Sequence, residues 1–312
     1  MSVADQFVFG YRDGHCLLSG SRELTPESLA ALLSVTDAAM ADGSQPLITG
    51  LALKHTAEYA LIVTWSAAEV ARPGAVWAHA LIVAKASLHD PHAIDVLLGL
   101  PRRPTPGVVD LARYGEPLAL DGAPARPSYL PSTPVARELL GRLAVAAYAP
   151  GAGRLITGED LGGAAKAVLA LWRAQWPELR SAFSFRTREV IRAGAPGFDL
   201  TVARRVRDSG AASSPVAAPP VPAWVDAVVD DAVAATPTPL RNFLWAFGPR
   251  EPREPSRLAA LAGLWLCIVA RDAAGARARV HRDWNGPPGD QLKRILFARE
   301  HDAWWAGREP PG

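Results

Sequence analysis

The sequence predicts an α+β protein with an antiparallel-sheet N-terminal domain, a mixed segment and an all-helical C-terminal domain. Before residue 100, strand-like runs of alternating apolar residues are joined by short turns and interrupted by helices. Antiparallel strands need only such short connections, which favours a meandering sheet over a parallel one. Between 135 and 207 two helical patterns precede two strands, and beyond 223 every pattern is helical.

The first predicted element is a β-hairpin whose strands flank Asp13-Gly14. Asp-Gly is a preferred pair for a two-residue turn, because both central residues need positive φ. Such a turn pairs Arg12 with His15, and alternation then places His15 and Cys16 on opposite faces. We therefore expect one core face to carry the residues Phe7, Phe9, Tyr11, Cys16 and Leu18.

Helices and further strands complete the predicted N-terminal domain. Two helix starts are predicted where Thr25 and Asp90 each precede a proline. Thr and Asp side chains accept hydrogen bonds from backbone N–H groups of the first helical turn, and proline is favoured at the first helical position. A second hairpin is predicted over residues 47–65 and another strand over 75–84. Trp77 and His79 share one face of that last strand by alternation.

The rest of the chain is divided by composition. A proline-rich connector and a low-complexity linker rich in Ala, Ser and Pro separate the periodic segments. The last predicted helices cover 224–234, 238–247, 256–271 and 291–305. The predicted units are 1–100 (antiparallel α+β), 101–134 (connector), 135–207 (helix-helix-strand-strand), 208–222 (linker) and 223–312 (helical).

Composition and missing motifs exclude several functions. A formal net charge of +2 does not suggest nucleic-acid binding, and the apolar run over 258–270 is too short to span a membrane. The two cysteines cannot form a disulfide framework, and the first residues do not resemble a signal peptide, so we expect a cytoplasmic protein. Walker A, dinucleotide-binding and His-Glu-x-x-His motifs are all absent from the sequence. We expect no cofactor and no metal.

Two groups of residues are candidates for a site. Arg12, Asp13 and His15 lie at the hairpin tip, and His79 could join them: the arginine would hold an anion while two imidazoles exchange a proton. The same residues also have a purely structural explanation, in which Asp13 makes the turn and Arg12 and His15 form a polar cross-strand pair. A third interpretation is a site that binds a ligand without catalysing a reaction. The second group is the pair Trp304-Trp305, which would form a partner-docking patch or pack the end of a helix.

Several motifs extend beyond generic patterns. The segment Phe9-Gly-Tyr-Arg-Asp-Gly-His15, with Gly50-Leu51, Trp65 and Pro73-Gly-Ala-Val-Trp-Ala-His79, resembles the N-terminal domain of the GTPase-associated protein one family. Later segments are similar to that family's following and middle regions: Leu171-Trp-Arg-Ala-Gln-Trp-Pro177, Phe183-Ser-Phe-Arg-Thr187, Phe198-Asp-Leu200 and Leu240-Arg-Asn-Phe-Leu-Trp245. Arg186 departs from the family pattern, which leads us to expect a cysteine there. The chain is also shorter than members that carry a further C-terminal region.

The resemblance implies a component of a multi-gene bacterial conflict or immunity system. Such a protein is expected to act as a non-enzymatic sensor or adaptor, together with a GTPase and an all-helical protein encoded nearby. Its candidate contact residues are Arg12, Asp13, His15, Trp77, His79, Trp304 and Trp305. The alternative is a small-ligand-binding or phosphoester-processing enzyme that uses the first three of these with His79.

Overall fold

The computed structural model describes residues 2–37, 45–104, 111–130, 134–151, 155–158, 163–189, 197–204 and 221–284. Its strands are β1 (Val3–Tyr11), β2 (His15–Gly20), β3 (Leu47–Ala52), β4 (Glu58–Ser66), β5 (Val76–Ala84), β6 (Leu118–Ala119), β7 (Leu155–Gly158), β8 (Phe185–Glu189) and β9 (Leu200–Arg204). Its helices are α1 (Pro26–Thr36), α2 (Pro91–Gly99), α3 (Arg137–Tyr148), α4 (Ala164–Ala174), α5 (Pro177–Arg180), α6 (Trp224–Val233), α7 (Pro239–Phe247), α8 (Ser256–Val269) and α9 (Ala273–Asp283). Short 3₁₀ helices cover Lys85–His89, Leu111–Tyr114 and Gly248–Arg250.

These strands form one sheet in the order β2-β1-β5-β4-β3-β8-β9-β7, with β6 paired to β1. The first five strands pair antiparallel, which confirms the predicted α+β class with its antiparallel N-terminal sheet. Strand β8 continues the sheet from β3, and β9 and β7 then run parallel to it. Residues on either side of the proline-rich connector therefore share a sheet. The five predicted domain boundaries stay a prediction.

The sheet is covered on both faces, which explains why its central strands are apolar throughout. On β4, Ala60 and Ile62 pack with α1, while Leu61 and Val63 face the core that the later helices cover. We call these the α1 face and the helical face. Burying both sides removes the alternation of apolar and polar residues that a half-exposed strand would show.

The hairpin exists, but its predicted two-residue turn is wrong. Tyr11 pairs with His15 and Gly10 with Cys16, so the loop holds three residues. Within this loop, Asp13 takes a positive φ of 56° and Gly14 one of 142°. Because strand side chains alternate, this one-residue difference turns the start of β2 over. His15 therefore lies on the face of Phe9, and Cys16 does not.

The helix starts follow the capping signals. Thr25 Oγ1 accepts the backbone N–H of Ser28, and the Asp90 carboxylate accepts that of His92. Each bond satisfies a backbone donor that the first helical turn leaves free.

Beyond residue 223, the first three predicted helices are present as α6, α7 and α8. Helix α9 was not predicted: within it, the apolar residues Ala276 and Val280 alone are buried. The helix predicted over 291–305 lies outside the described residues. Across the described ranges, the structure contains no helix with the length and apolar character of a membrane span.

Candidate functional site

The hairpin tip, residues 12–14, has a backbone held by hydrogen bonds within the loop and carries exposed side chains. The Arg12 N–H donates to the Gly14 carbonyl oxygen at 2.9 Å, and the Cys16 thiol approaches the Arg12 carbonyl at 3.6 Å. Arg12 and Asp13 are both exposed. In the part of the chain that the structure describes, no side chain or carbonyl accepts a hydrogen bond from the Arg12 guanidinium.

A second loop supports the tip from the side. Arg72, in the exposed loop between β4 and β5, places its guanidinium carbon 4.4 Å from the centre of the Tyr11 ring. A cation over an aromatic face at this distance is attractive. The contact joins the two loops at one end of the sheet, and we call residues 11–14 together with 67–75 the loop end.

Trp77 fixes the strands beneath the loop end. A Cβ at Gly10 would lie 2.3 Å from the Trp77 ring, so the indole occupies the space that a side chain at this position would fill. The Trp77 indole N–H donates to Glu69 at 2.7 Å, and Arg103 donates to both oxygens of that carboxylate at 2.8 Å. Trp77 is 8% exposed, so the structure places it in the base of the loop end rather than on its surface.

His15 packs against α1. Its Nε2 lies 2.9 Å from Thr36 Oγ1, and its ring stacks on Phe9 with 6.4 Å between ring centres. Burial lowers the pKa of His15, nearby Arg72 acts in the same direction, and Asp37 opposes them. The imidazole is thus half-buried and held by the helix beside the tip.

His79 belongs to a buried hydrogen-bond chain. Its Nδ1 accepts the backbone N–H of Arg102 at 3.1 Å, so Nε2 must carry the ring proton that it donates to Gln6 Oε1 at 3.2 Å. The Gln6 amide then donates to the carbonyls of Arg113 and Glu116. Burial, reinforced by the Arg102 and Arg113 charges, lowers the pKa of His79 to about 3. His79 is a neutral residue that ties the sheet to the connector.

The two histidines lie on opposite faces of the sheet. His79 pairs with Val8 on β1, on the helical face, whereas His15 stacks on the next residue, Phe9, on the α1 face. The predicted cluster of Arg12, Asp13, His15 and His79 therefore does not form. Two imidazoles that the sheet separates cannot exchange protons with one substrate.

Other candidate chemistry is limited within the described ranges. There, no three His, Cys, Asp or Glu side chains are grouped as metal ligands would be. The predicted docking pair, Trp304 and Trp305, lies outside the described residues.

Two arginines, Arg180 and Arg186, are buried and hold elements of the core together, which the sequence did not predict. Arg180 caps the end of α4 and joins it to the 3₁₀ helix after β5. It donates to the carbonyls of Leu88, Trp172, Arg173 and Gln175. Arg180 is fully buried, and nothing in the surrounding segment Pro177-Glu-Leu-Arg180 indicates this.

The second is Arg186, where the resemblance leads us to expect a cysteine. Its guanidinium donates to the Val35 carbonyl at 2.7 Å and lies 5.5 Å from the Phe198 ring centre. The side chain links β8 to α1 in the core of the α1 face. The arginine thus has a packing role of its own.

The fold and the site together define an α+β protein. Its N-terminal sheet carries a hairpin with an exposed tip, while His15 and His79 make structural contacts on opposite faces of the sheet. Residues 3–100 match the family model described as GTPase-associated protein 1, N-terminal domain type 1. This match supports the resemblance to the GTPase-associated protein 1 family that the motifs at residues 9–15 and 73–79 indicate. The match covers about a third of the chain and ends before the connector. Comparisons with curated proteins and with solved structures find no match.

Proposed function

We propose that the protein binds a partner GTPase and acts as a non-enzymatic sensor or adaptor in a bacterial conflict or immunity system. The observation that carries this proposal is the match of residues 3–100 to a domain named for its association with a GTPase. The all-helical protein that the resemblance implies would be a third component.

The loop end is the surface we assign to this contact. Arg12, Asp13 and Arg72 are exposed there, and the Tyr11 stack and the Trp77–Glu69 hydrogen bond hold their loops in place. A braced surface loses little conformational entropy on binding, which favours a specific contact. Among the residues that the structure describes, neither Arg12 nor Arg72 forms an ion pair, which favours an acidic partner surface.

The geometry favours binding over the phosphoester-processing alternative. That reaction needs both imidazoles near Arg12, but His79 is buried on the other face and both of its ring nitrogens are engaged. His15, the remaining imidazole, is held by Thr36. The pair of imidazoles that this reaction needs is therefore not present at the tip.

Co-elution with the GTPase encoded beside this protein tests the proposal. The mixture is run on gel filtration with GDP and with a non-hydrolysable GTP analogue, using the wild-type protein, Arg12→Glu/Arg72→Glu and the control Arg142→Glu. Arg142 is an exposed arginine on α3, remote from the loop end in sequence. We expect a complex with the wild type and the control, and at least about tenfold weaker binding for the double variant, because like charges then oppose an acidic surface.

Two results contradict the proposal at different levels. Absence of a complex in both nucleotide states contradicts GTPase binding itself. Equal binding of all three proteins, each shown to be folded by circular dichroism, contradicts the assignment to the loop end.

A further inference from the structure

We propose that Arg12 is an arginine finger: it enters the nucleotide site of the partner GTPase and accelerates GTP hydrolysis there. This inference rests on the proposed function, because it requires the complex. It adds an activity that binding alone does not include. The site of the reaction is the partner's, and this chain would supply one guanidinium to it.

Arg12 differs from the other arginines of the family-matched domain in its contacts. Residues 3–100 contain three arginines, Arg12, Arg22 and Arg72. Arg22 is held by two carboxylates, Asp5 at 2.7 Å and Glu58 at 2.5 Å. Arg72 lies over the Tyr11 ring. Only Arg12 has an exposed guanidinium with neither an ion pair nor a ring contact to the residues that the structure describes.

The backbone that carries Arg12 is fixed on both sides. Tyr11 pairs with His15 across the loop and is covered by Arg72, while His15 is anchored on Thr36 of α1. The Arg12 N–H is bonded within the loop. A finger must arrive in place without ordering its own loop, since positioning accounts for most of its effect.

The chemistry assigned to Arg12 is charge stabilisation. In the partner's site, water attacks the γ-phosphorus of GTP and the bond to the β–γ bridging oxygen breaks. GDP leaves with that electron pair, and the proton of the water ends on phosphate or solvent. In the transition state, negative charge builds up on the β–γ bridging oxygen and is spread over the γ-phosphoryl oxygens, to which a guanidinium can donate two hydrogen bonds.

Residue type supports arginine rather than lysine in this role. A planar guanidinium matches phosphate oxygens with paired donors, which an ammonium group cannot do. Of the two lysines in the matched domain, Lys85 donates to the Thr56 carbonyl, and Lys54 follows β3 in the loop that leads to β4. That loop joins the ends of β3 and β4 remote from the β4–β5 loop, so Lys54 lies away from the tip.

Single-turnover GTP hydrolysis by the partner GTPase tests the inference. The rate is measured alone and with saturating wild-type protein, Arg12→Ala, Arg12→Lys or Arg142→Ala. Binding of each is measured in parallel to the GTPase loaded with GDP and with GDP plus aluminium fluoride, which mimics the transferring phosphoryl group. The wild type and Arg142→Ala should raise the rate by about 10³-fold or more. Both Arg12 variants should lose nearly all of that stimulation even at concentrations that saturate their own binding to the GTPase.

The aluminium fluoride complex supplies a readout that docking alone would not change. Wild type should bind it more tightly than the GDP complex, and Arg12→Ala should lose this difference. A wild-type complex that forms without accelerating hydrolysis overturns the arginine finger and leaves the proposed function standing. Stimulation that survives in Arg12→Ala also overturns the arginine finger. Failure of any complex to form overturns both the arginine finger and the proposed GTPase binding.

Discussion

The buried, neutral His79 gives the protein a specific dependence of stability on pH. The unfolded chain binds a proton at this histidine below about pH 6.5, whereas the folded protein does so only near pH 3. Between these values the unfolded state holds more protons, so the free energy of unfolding falls as pH falls. The slope from one such group approaches ~1.4 kcal/mol per pH unit.

The expected loss is large enough to measure. From about pH 7.5 to about pH 5, His79 should remove about 2 kcal/mol from the free energy of unfolding, a sizeable share of the ~5–15 kcal/mol typical of domains. His79→Gln keeps a polar side chain but cannot titrate, so its loss over the same interval should be about 2 kcal/mol smaller. His92→Gln, at an exposed histidine, should keep the wild-type dependence.

Urea unfolding followed by tryptophan fluorescence at both pH values provides the measurement. His79→Gln should be less stable than wild type near neutral pH, because the Arg102 N–H or Gln6 Oε1 loses a well-placed partner. That offset does not enter the comparison, which uses only the change with pH. Equal pH dependence of wild type and His79→Gln would refute the buried neutral imidazole.

Three further substitutions test the packing that supports the loop end and the core, each by urea unfolding. Gly10→Val should destabilise by about 1–3 kcal/mol, because its side chain would enter the space of the Trp77 ring, and a neutral effect would contradict that close contact. Arg180→Met should cost about 3 kcal/mol, since several buried carbonyls lose their donor; stability equal to wild type would show that the cap is dispensable. Thr25→Ala should cost ~1 kcal/mol through loss of the α1 cap, whereas Thr25→Ser should retain most of it, and equal losses would contradict the cap.

Local chemistry made much of the N-terminal region predictable. The capping bonds at Thr25 and Asp90 span three and two residues, so a short stretch of sequence contains both partners of each bond. The hairpin was predictable for the same reason, but its register was not. Asp13-Gly14 serves two-residue and three-residue loops alike, and the neighbouring contacts to Thr36 and Arg72 come from distant segments.

Long-range contacts limited the prediction of the site. From the sequence, His79 is a candidate general base. Its hydrogen-bond partners Gln6 and Arg102 are distant in sequence, so their engagement of both ring nitrogens could not be predicted. The same separation hid the pairing of β8 with β3 and the burial of Arg180. Alternation showed which residues share a strand face, but not which segment would cover that face.

Hydrogen exchange on the complex with the partner GTPase tests the central claim most directly. The claim is that the loop end, residues 11–14 and 67–75, forms the contact. Amides in these two loops should exchange more slowly in the complex than in the free protein, while those of α6 to α9 should be unchanged. Protection confined to the helical region, or no change anywhere at saturating GTPase, would contradict it.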